Sequence, residues 1–283
     1  MCWQRMLVLV ATISFASFAN ASTIIDLWDD TFDDEAGSVN NPDPRDMGGP
    51  IGLADNASLS VSIRVANHLG NDQIPYRGGG PVIAETGGVL TLDSNGSGRT
   101  ALWPNLSFTD VLPGDPTTAF SVSIDDFNPQ TNGGNWGAIG MFKVGVPAAG
   151  GGAVNINAAD VGIGVFKRGN GEMAVWSQGS DSVVPNYTAP SGSFDLEIAA
   201  TNIVGYGTVS TSFDYEVFVD GDSVTTGSLS GIDTTGNYVF METTSEPTSF
   251  NQLSISATVP EPSAVILALV GMAAVACARR RLV

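Results

Sequence analysis

Apolar and polar residues alternate one by one along several stretches of this chain, and no other feature of the sequence restricts its fold as strongly. Successive side chains of a β-strand point to opposite faces, so a period of two predicts strands with one buried and one solvated face. The clearest stretches are residues 59–65, 120–125 and 213–220. Between the two chain ends, no stretch has the roughly 3.6-residue period of an amphipathic helix. The pattern therefore predicts an all-β fold, a two-sheet antiparallel β-sandwich.

Glycine-containing turns join some of these stretches into hairpins. Arg-Gly-Asn-Gly at 168–171 separates the apolar runs 161–166 and 172–176, and Asp-Gly-Asp at 220–222 follows the run 215–219. Asn-Gly and Asp-Gly pairs are typical of tight hairpin turns, because they tolerate positive φ. We therefore expect two β-hairpins in the second half of the chain.

The N-terminal segment 1–21 has the three parts of a secretory signal peptide. Arg5 supplies a positive charge, residues 6–18 form an uncharged apolar run, and Ala-Asn-Ala at 19–21 fits a cleavage site. We therefore expect the secretion translocon to export the chain, and the mature protein to begin at Ser22.

The C-terminal segment 259–283 forms a second targeting device. It opens with a proline-containing box made of Val259, Pro260, Glu261, Pro262 and Ser263. An uncharged apolar run, 264–278, follows and is expected to form a transmembrane helix. Such a helix would span roughly 22 Å, so flanking residues must help it cross the bilayer. The basic tail 279–283 then supplies a stop-transfer signal made of Arg279, Arg280 and Arg281.

The box, the apolar run and the arginine cluster together resemble the PEP-CTERM sorting signal. This resemblance implies that an exosortase, a membrane protease or transpeptidase, recognises the box and removes the helix. It also implies transient anchoring in the cytoplasmic membrane, then delivery to the cell surface or extracellular matrix of an exopolysaccharide-producing bacterium. An ordinary C-terminal anchor with a proline cap is the alternative.

The remaining segment, 22–258, is expected to form one domain, and it is strongly acidic. Seven Lys and Arg residues stand against 28 Asp and Glu residues, a net charge of about −21. Such a surface repels nucleic acid, and it repels acidic polysaccharide unless divalent cations bridge the two. Both cysteines, Cys2 and Cys277, fall outside the domain, and His68 is the chain's single histidine. Disulfides, a thiol nucleophile and a multi-histidine metal site are therefore excluded from it.

The order of strand-like segments resembles concanavalin A-like (laminin G-like) jelly rolls. The segments that carry this resemblance are 120–124, 164–176, 194–198, 215–221 and 250–255. It implies a lectin-like domain, although other two-sheet sandwiches would produce the same order.

Two groups of oxygen-bearing side chains are candidate Ca²⁺ ligands. The first lies near the start of the mature chain: Asp29, Asp30, Asp33 and Asp34. The second is expected on a loop after a strand: Asp125, Asp126 and Asn128. Solvated acidic loops are the alternative interpretation of both groups.

Trp136 is the candidate platform for a glycan. It follows the loop-like run Asn-Gly-Gly-Asn at 132–135, and an exposed indole at such a place can stack on a sugar ring, whereas a buried one fills the core. The carboxylate pairs of glycoside hydrolases have weaker counterparts here, at 195/197 and 214/216, without a third acid on the strand. We expect these pairs to form polar outer faces of strands.

The sequence therefore favours an exported, non-catalytic surface or matrix protein whose lectin-like sandwich binds polysaccharide, with Ca²⁺ as the candidate cofactor. A structural matrix component without a specific ligand is one alternative. A polysaccharide hydrolase or lyase is another.

Overall fold

The computed structural model describes residues 22–30, 37–39, 63–67, 82–85, 88–93, 99–104, 107–112, 117–130, 132–133, 135–144, 159–244 and 246–260. The predicted signal peptide and the predicted transmembrane helix lie outside these ranges. Among the predicted site residues, the same holds for Asp33, Asp34, Glu261, Pro262, Ser263, Arg279, Arg280, Arg281 and for the side chain of Asp30. Within the described ranges, no helix is long and apolar enough to span a membrane.

Strands dominate the described part of the chain. In chain order they are β1 (Ser22–Asp30), β2 (Gly37–Val39), β3 (Ile63–Asn67), β4 (Val82–Glu85), β5 (Leu90–Asp93), β6 (Arg99–Pro104), β7 (Ala119–Pro129), β8 (Trp136–Lys143), β9 (Val161–Arg168), β10 (Met173–Ser177), β11 (Ser180–Val183), β12 (Phe194–Val204), β13 (Thr211–Val219), β14 (Asp222–Ile232), β15 (Tyr238–Thr244), β16 (Thr248–Phe250) and β17 (Gln252–Pro260). A one-turn helix, α1 (Phe108–Val111), precedes β7.

The strands form two antiparallel sheets. The large sheet has ten strands in the order β14-β13-β12-β7-β16-β5-β4-β2, with β17 also beside β7 and β1 beside β17. The small sheet has seven strands in the order β11-β10-β9-β8-β15-β6-β3. Both predicted hairpins are present, as β9–β10 and β13–β14. The all-β, two-sheet antiparallel sandwich predicted from the sequence is therefore confirmed.

The sandwich lies in a compact unit that runs from Ile24 to Thr258. Residues 1–23 and 259–283 form a second unit, of which the structure describes only the outer ends of β1 and β17.

A hydrophobic core joins the facing sides of the two sheets. The large sheet contributes Val122 and Ile198, and the small sheet contributes Ile139 and Val165, all fully buried. Burial of one such side chain stabilises the fold by about 1.5–3 kcal/mol. The apolar positions of the alternating stretches 120–125 and 213–220 thus lie in or against the core, as the period of two predicts.

Phe142 enters this core through a break in the alternation. Alternation along β8 would place Phe142 with Ala138, which belongs to a second apolar cluster. Phe142 instead adopts φ +58°, where β8 has one residue more than β15 between their paired positions. This bulge turns the ring to the main core, where its centroid lies 5.0 Å from that of Phe213 and 5.5 Å from that of Phe120.

Candidate functional site

One row of side chains on β9 leaves the hydrophobic core and ends in a lysine. Ile163 and Val165 are fully buried, and Lys167 follows them on the same side of the strand. Its side chain crosses toward the large sheet, and its ammonium lies 5.7 Å from the ring centroid of Phe194 at the start of β12. Because Lys167 also lines a surface pocket, it marks the place where the core gives way to solvent.

Beside Lys167 the two sheets approach each other closely. Its ladder partner on β8 is Gly137. A Cβ atom at Gly137 would lie 2.6 Å from Thr248 Oγ1 and 2.7 Å from Pro129 Cβ, both on the large sheet. Side chains of the large sheet therefore fill the space over Gly137, directly beside the lysine.

The segment after β11 forms one wall of the pocket. Val184 N–H donates to Met173 C=O and Ala189 N–H donates to Gly171 C=O, both at 2.9 Å. Gly171 has φ +84°, and a Cβ there would lie 2.9 Å from Thr188 Cγ2, so this position requires glycine. Two backbone hydrogen bonds and a close approach thus hold this wall against the β9–β10 turn.

The end of β7 and the residues after it form the opposite wall. Gln130 N–H donates to Pro247 C=O at 2.9 Å, and Asn132 Nδ2 donates to Glu246 Oε1 at 3.3 Å. The turn between β15 and β16 therefore holds this wall in place.

The two walls flank a pocket of about 460 Å³ that is open to solvent. Its lining comes from residues 128–130, 132, 167, 169–171 and 188–191. Apart from Lys167, its polar side chains are amides and hydroxyls: Asn128, Gln130, Asn132, Asn170, Thr188 and Ser191. This lining offers many hydrogen-bonding groups and a single charge.

Lys167 differs electrostatically from Lys143 and Arg168, the two other basic side chains that the structure describes. Lys143 and Arg168 form ion pairs with neighbouring carboxylates. Within the described part of the chain, no carboxylate pairs with Lys167, although only 5% of its surface is exposed. Burial lowers the pKa of Lys167 below its ordinary value, because removal from water disfavours the charged form.

The structure corrects the loop expected at Asp125, Asp126 and Asn128. β7 continues through all three residues and accommodates Asp126, at φ +52°, in a bulge opposite β12. The bulge interrupts the alternation, which is why the sequence suggested a strand end. Asn128 lines the pocket, whereas Asp125 and Asp126 are exposed and lie outside it.

Several aspartates join in a hydrogen-bonded series on the large sheet. Asp126 N–H donates to Asp195 Oδ1 at 3.0 Å, and Asp195 N–H donates to Asp220 Oδ1 at 2.9 Å. On β1, Asp29 accepts a hydrogen bond from Ser254 Oγ at 2.9 Å. No group of three acidic, histidine or cysteine side chains among the described residues is arranged to hold a metal ion. Calcium binding therefore stays a prediction.

We expect Asp125→Asn to raise the melting temperature at pH 7. Although the residue is exposed, partial burial of its carboxyl group raises the pKa of Asp125, and the charges of Asp195, Asp126 and Asp29 raise it further. A carboxyl group with a raised folded-state pKa contributes stability below its ordinary pKa of 3.8 and loses it as pH rises through the folded-state value. The gain should therefore shrink as pH falls toward about 4, in thermal unfolding followed by circular dichroism. Asp181→Asn, which removes an ion pair with Arg168, is the matched control; an equal gain there would refute the explanation.

Trp136 begins β8 and does not lie on an exposed loop. Its indole is 8% exposed and packs against Phe166 at a centroid distance of 6.0 Å. Its backbone N–H donates to Thr244 Oγ1 at 2.8 Å. Together with Ala138 and Phe240 it belongs to the second apolar cluster. Residues of neighbouring strands thus cover most of the ring, so Trp136 offers little open surface for stacking on a sugar.

The two acidic pairs lie on the neighbouring strands β12 and β13. Burial, and then the nearby charge of Glu216, raise the pKa of Glu197. Hydrogen bonds from Ser228 and Asn202 lower the pKa of Asp214. These carboxylates lie outside the pocket lining.

Sequence reasoning missed Lys167 and the wall at 188–191. The available signal was a lysine at the third place of a core-facing row that begins with Ile163 and Val165. The contacts with Phe194 and with the wall join residues distant in sequence, so no local pattern predicts them.

Comparison with protein families matches residues 258–281 to the PEP-CTERM protein-sorting motif. No curated protein matches the chain. Among solved structures, a protein of unknown function from Shewanella oneidensis MR-1 is 13% identical, with a TM-score of 0.46, over 88% of this chain and 93% of its own. The potassium-bound carbohydrate recognition domain of Emp46p is 8% identical, with a TM-score of 0.44, over 77% of this chain and 95% of its own. A legume lectin-like domain from Entamoeba histolytica is 11% identical, with a TM-score of 0.38, over 62% of this chain and 87% of its own.

The matched region begins one residue before the predicted box and includes the apolar run and all three arginines. The motif indicates export and sorting to the cell envelope. The chain thus carries a PEP-CTERM sorting motif at its C-terminus, behind an all-β, two-sheet sandwich.

Proposed function

We propose that the protein is a non-catalytic surface or matrix protein whose lectin-like sandwich binds polysaccharide in the pocket beside Lys167. In this proposal, the translocon exports the chain, an exosortase processes the tail at the box 259–263, and the arginines at 279–281 stop transfer. The sandwich then works outside the cytoplasmic membrane, at the cell surface or in the matrix.

The chemistry of the pocket lining carries this proposal. Sugar hydroxyl groups both donate and accept hydrogen bonds, and amide and hydroxyl side chains do the same. The side chains of Asn128, Thr188 and Ser191 make no hydrogen bond to another described residue, so their polar atoms are available to a ligand. A volume of about 460 Å³ lies within the usual range of small-ligand pockets.

The pocket walls also favour binding because they are held in place before any ligand arrives. Backbone hydrogen bonds fix Ala189 to Gly171 on one side and Gln130 to Pro247 on the other, at 2.9 Å each. A preformed site avoids the entropic cost of ordering loops when the ligand binds.

Glycoside hydrolysis requires a pair of carboxylates beside the bond that breaks. The polar side chains that line this pocket are amides, hydroxyls and one ammonium. This composition favours binding over hydrolysis.

A glycan array with the full-length protein in mild detergent tests the proposal, with and without calcium. We expect binding to a subset of polysaccharide fragments. Ser191→Trp, which places a bulky ring at the exposed rim of the pocket, should weaken binding by about tenfold or more. Ser210→Trp is the matched control, because Ser210 is equally exposed but follows the opposite end of β12.

Loss of binding in Ser191→Trp with normal binding in Ser210→Trp would support the pocket. No binding by the native protein in either condition would overturn the proposal in favour of a structural matrix component. Binding that requires calcium would support Ca²⁺ as a cofactor held by the candidate ligands Asp29, Asp30, Asp33, Asp34, Asp125, Asp126 and Asn128. Identical binding in both conditions would show that glycan recognition does not use calcium.

A further inference from the structure

The side chain of Lys167 is the most unusual feature of the pocket. Its surface is 5% exposed, yet among the described residues it has no carboxylate partner. Its described aromatic neighbour is Phe194, whose ring centroid lies 5.7 Å from the ammonium. A buried cation is costly unless an anion or several hydrogen bonds compensate it. The pocket therefore holds an uncompensated positive charge.

Positive charge is rare in this protein. The domain 22–258 has only seven basic residues against 28 acidic ones. Both other described basic side chains, Lys143 and Arg168, are ion-paired on the small sheet. In a chain with so many carboxylates, a lysine that pairs with none of those described is free to pair with a ligand.

The position of Lys167 makes that pairing accessible. The pocket is open to solvent, and its other polar side chains are neutral, so no charge inside it competes for the ammonium. The described acids nearest to it in sequence, Glu172 and Asp160, are engaged by Arg168 and Lys143.

We infer that the pocket recognises an acidic sugar unit, a uronate whose carboxylate pairs with the Lys167 ammonium while the amides and hydroxyls bind its ring hydroxyls. This inference rests on the proposed function and adds the ligand class to it. Binding would remove water from both the Lys167 ammonium and the uronate carboxylate. The amides and hydroxyls of the pocket would then hydrogen-bond to the donors and acceptors of the sugar that the ion pair leaves unsatisfied.

The negative charge of the domain does not prevent this recognition at physiological salt. Charges on the outer face of the large sheet are exposed, and salt screens such charges beyond about 8 Å. The pairing at Lys167 takes place in a partly desolvated pocket, where screening is weaker. Net charge should therefore slow association with an acidic chain without abolishing the local contact.

Titration calorimetry with the full-length protein in mild detergent tests the inference at about 150 mM salt. The probes are three oligosaccharides of equal length: one of glucuronate, one of neutral glucose, and one of glucose carrying sulfate. We expect the glucuronate oligomer to bind about tenfold or more tightly than the neutral one. Lys167→Gln should abolish this preference, and Lys167→Arg, which keeps the charge, should retain most of it. Lys143→Gln is the control and should leave the preference intact.

The variant Lys167→Gln should fold, because it removes a buried charge without a described partner; an unchanged or higher melting temperature checks this. Equal binding of the glucuronate and neutral oligomers would overturn the inference while supporting the proposed function. Equal or tighter binding of the sulfated oligomer would overturn the uronate assignment. Failure of all three oligomers and of the glycan array would instead refute the proposed function itself.

Discussion

Replacing Phe142 with alanine should lower the free energy of unfolding by about 3–5 kcal/mol. The ring of Phe142 is fully buried and contacts three other aromatic rings, those of Phe120, Phe213 and Tyr206, at centroid distances of 5.0–6.3 Å. Alanine would leave a cavity that the three neighbouring rings cannot close, and it would keep the strained backbone at φ +58°.

Urea unfolding of the full-length protein, followed by tryptophan fluorescence, measures this loss. Phe218→Ala is the matched control, because Phe218 lies on β13 outside the main core and is only partly buried. We expect its loss to be less than half of that for Phe142. Equal losses for the two variants would show that the bulge in β8 does not place Phe142 at a centre of the core.

Replacing Asn237 with alanine should lower the free energy of unfolding by about 3 kcal/mol. Asn237 is fully buried, and its Oδ1 accepts the Phe142 N–H at 2.9 Å. Its Nδ2 donates to the Tyr206 hydroxyl at 3.0 Å. The variant would leave the Phe142 N–H and the Tyr206 hydroxyl without these partners in a dry interior, and each loss carries a desolvation penalty.

Asn132→Ala is the matched control for this second prediction. Asn132 also makes a side-chain hydrogen bond, to Glu246 Oε1 at 3.3 Å, but it is exposed, so water can replace the lost partner. Its backbone is not in the left-handed region, so alanine adds no strain there. Its loss should stay within about 0.5 kcal/mol. A double-mutant cycle of Asn237→Ala with Tyr206→Phe should give a coupling energy above about 0.5 kcal/mol; additive losses would disprove the contact.

These residues show which parts of the fold local sequence patterns can predict. The alternation at Phe120, Val122 and Ile124 correctly predicted a strand of the core. It could not predict that this strand passes through a bulge at Asp126, because the bulge breaks the period of two and depends on pairing with β12. The alternation likewise does not predict the core position of Phe142, because a bulge in β8 that depends on pairing with β15 breaks the period of two.

The site was predicted less completely than the fold. Asn128 was identified for its oxygen, but as a calcium ligand and not as part of the pocket. The glycines and asparagines before Trp136 are typical of a loop, and only Phe166 on β9 and other neighbours across the small sheet bury the ring. Lys167 owes its environment to Phe194, which the fold brings next to it from the other sheet.

The PEP-CTERM motif indicates the destination of the protein, whereas the pocket is the basis of the proposed binding function. The motif at 258–281 indicates where the protein is sorted. The proposed work of the protein lies in the sandwich before it, at the end of β9.

Nuclear magnetic resonance titration of the full-length protein in detergent with a glucuronate oligomer tests the central claim most directly. We expect chemical-shift changes concentrated at residues 128–130, 132, 167, 169–171 and 188–191, with the largest side-chain change at the Lys167 Nζ. Changes confined to the acidic outer face of the large sheet, or no changes at saturating oligomer, would contradict the claim.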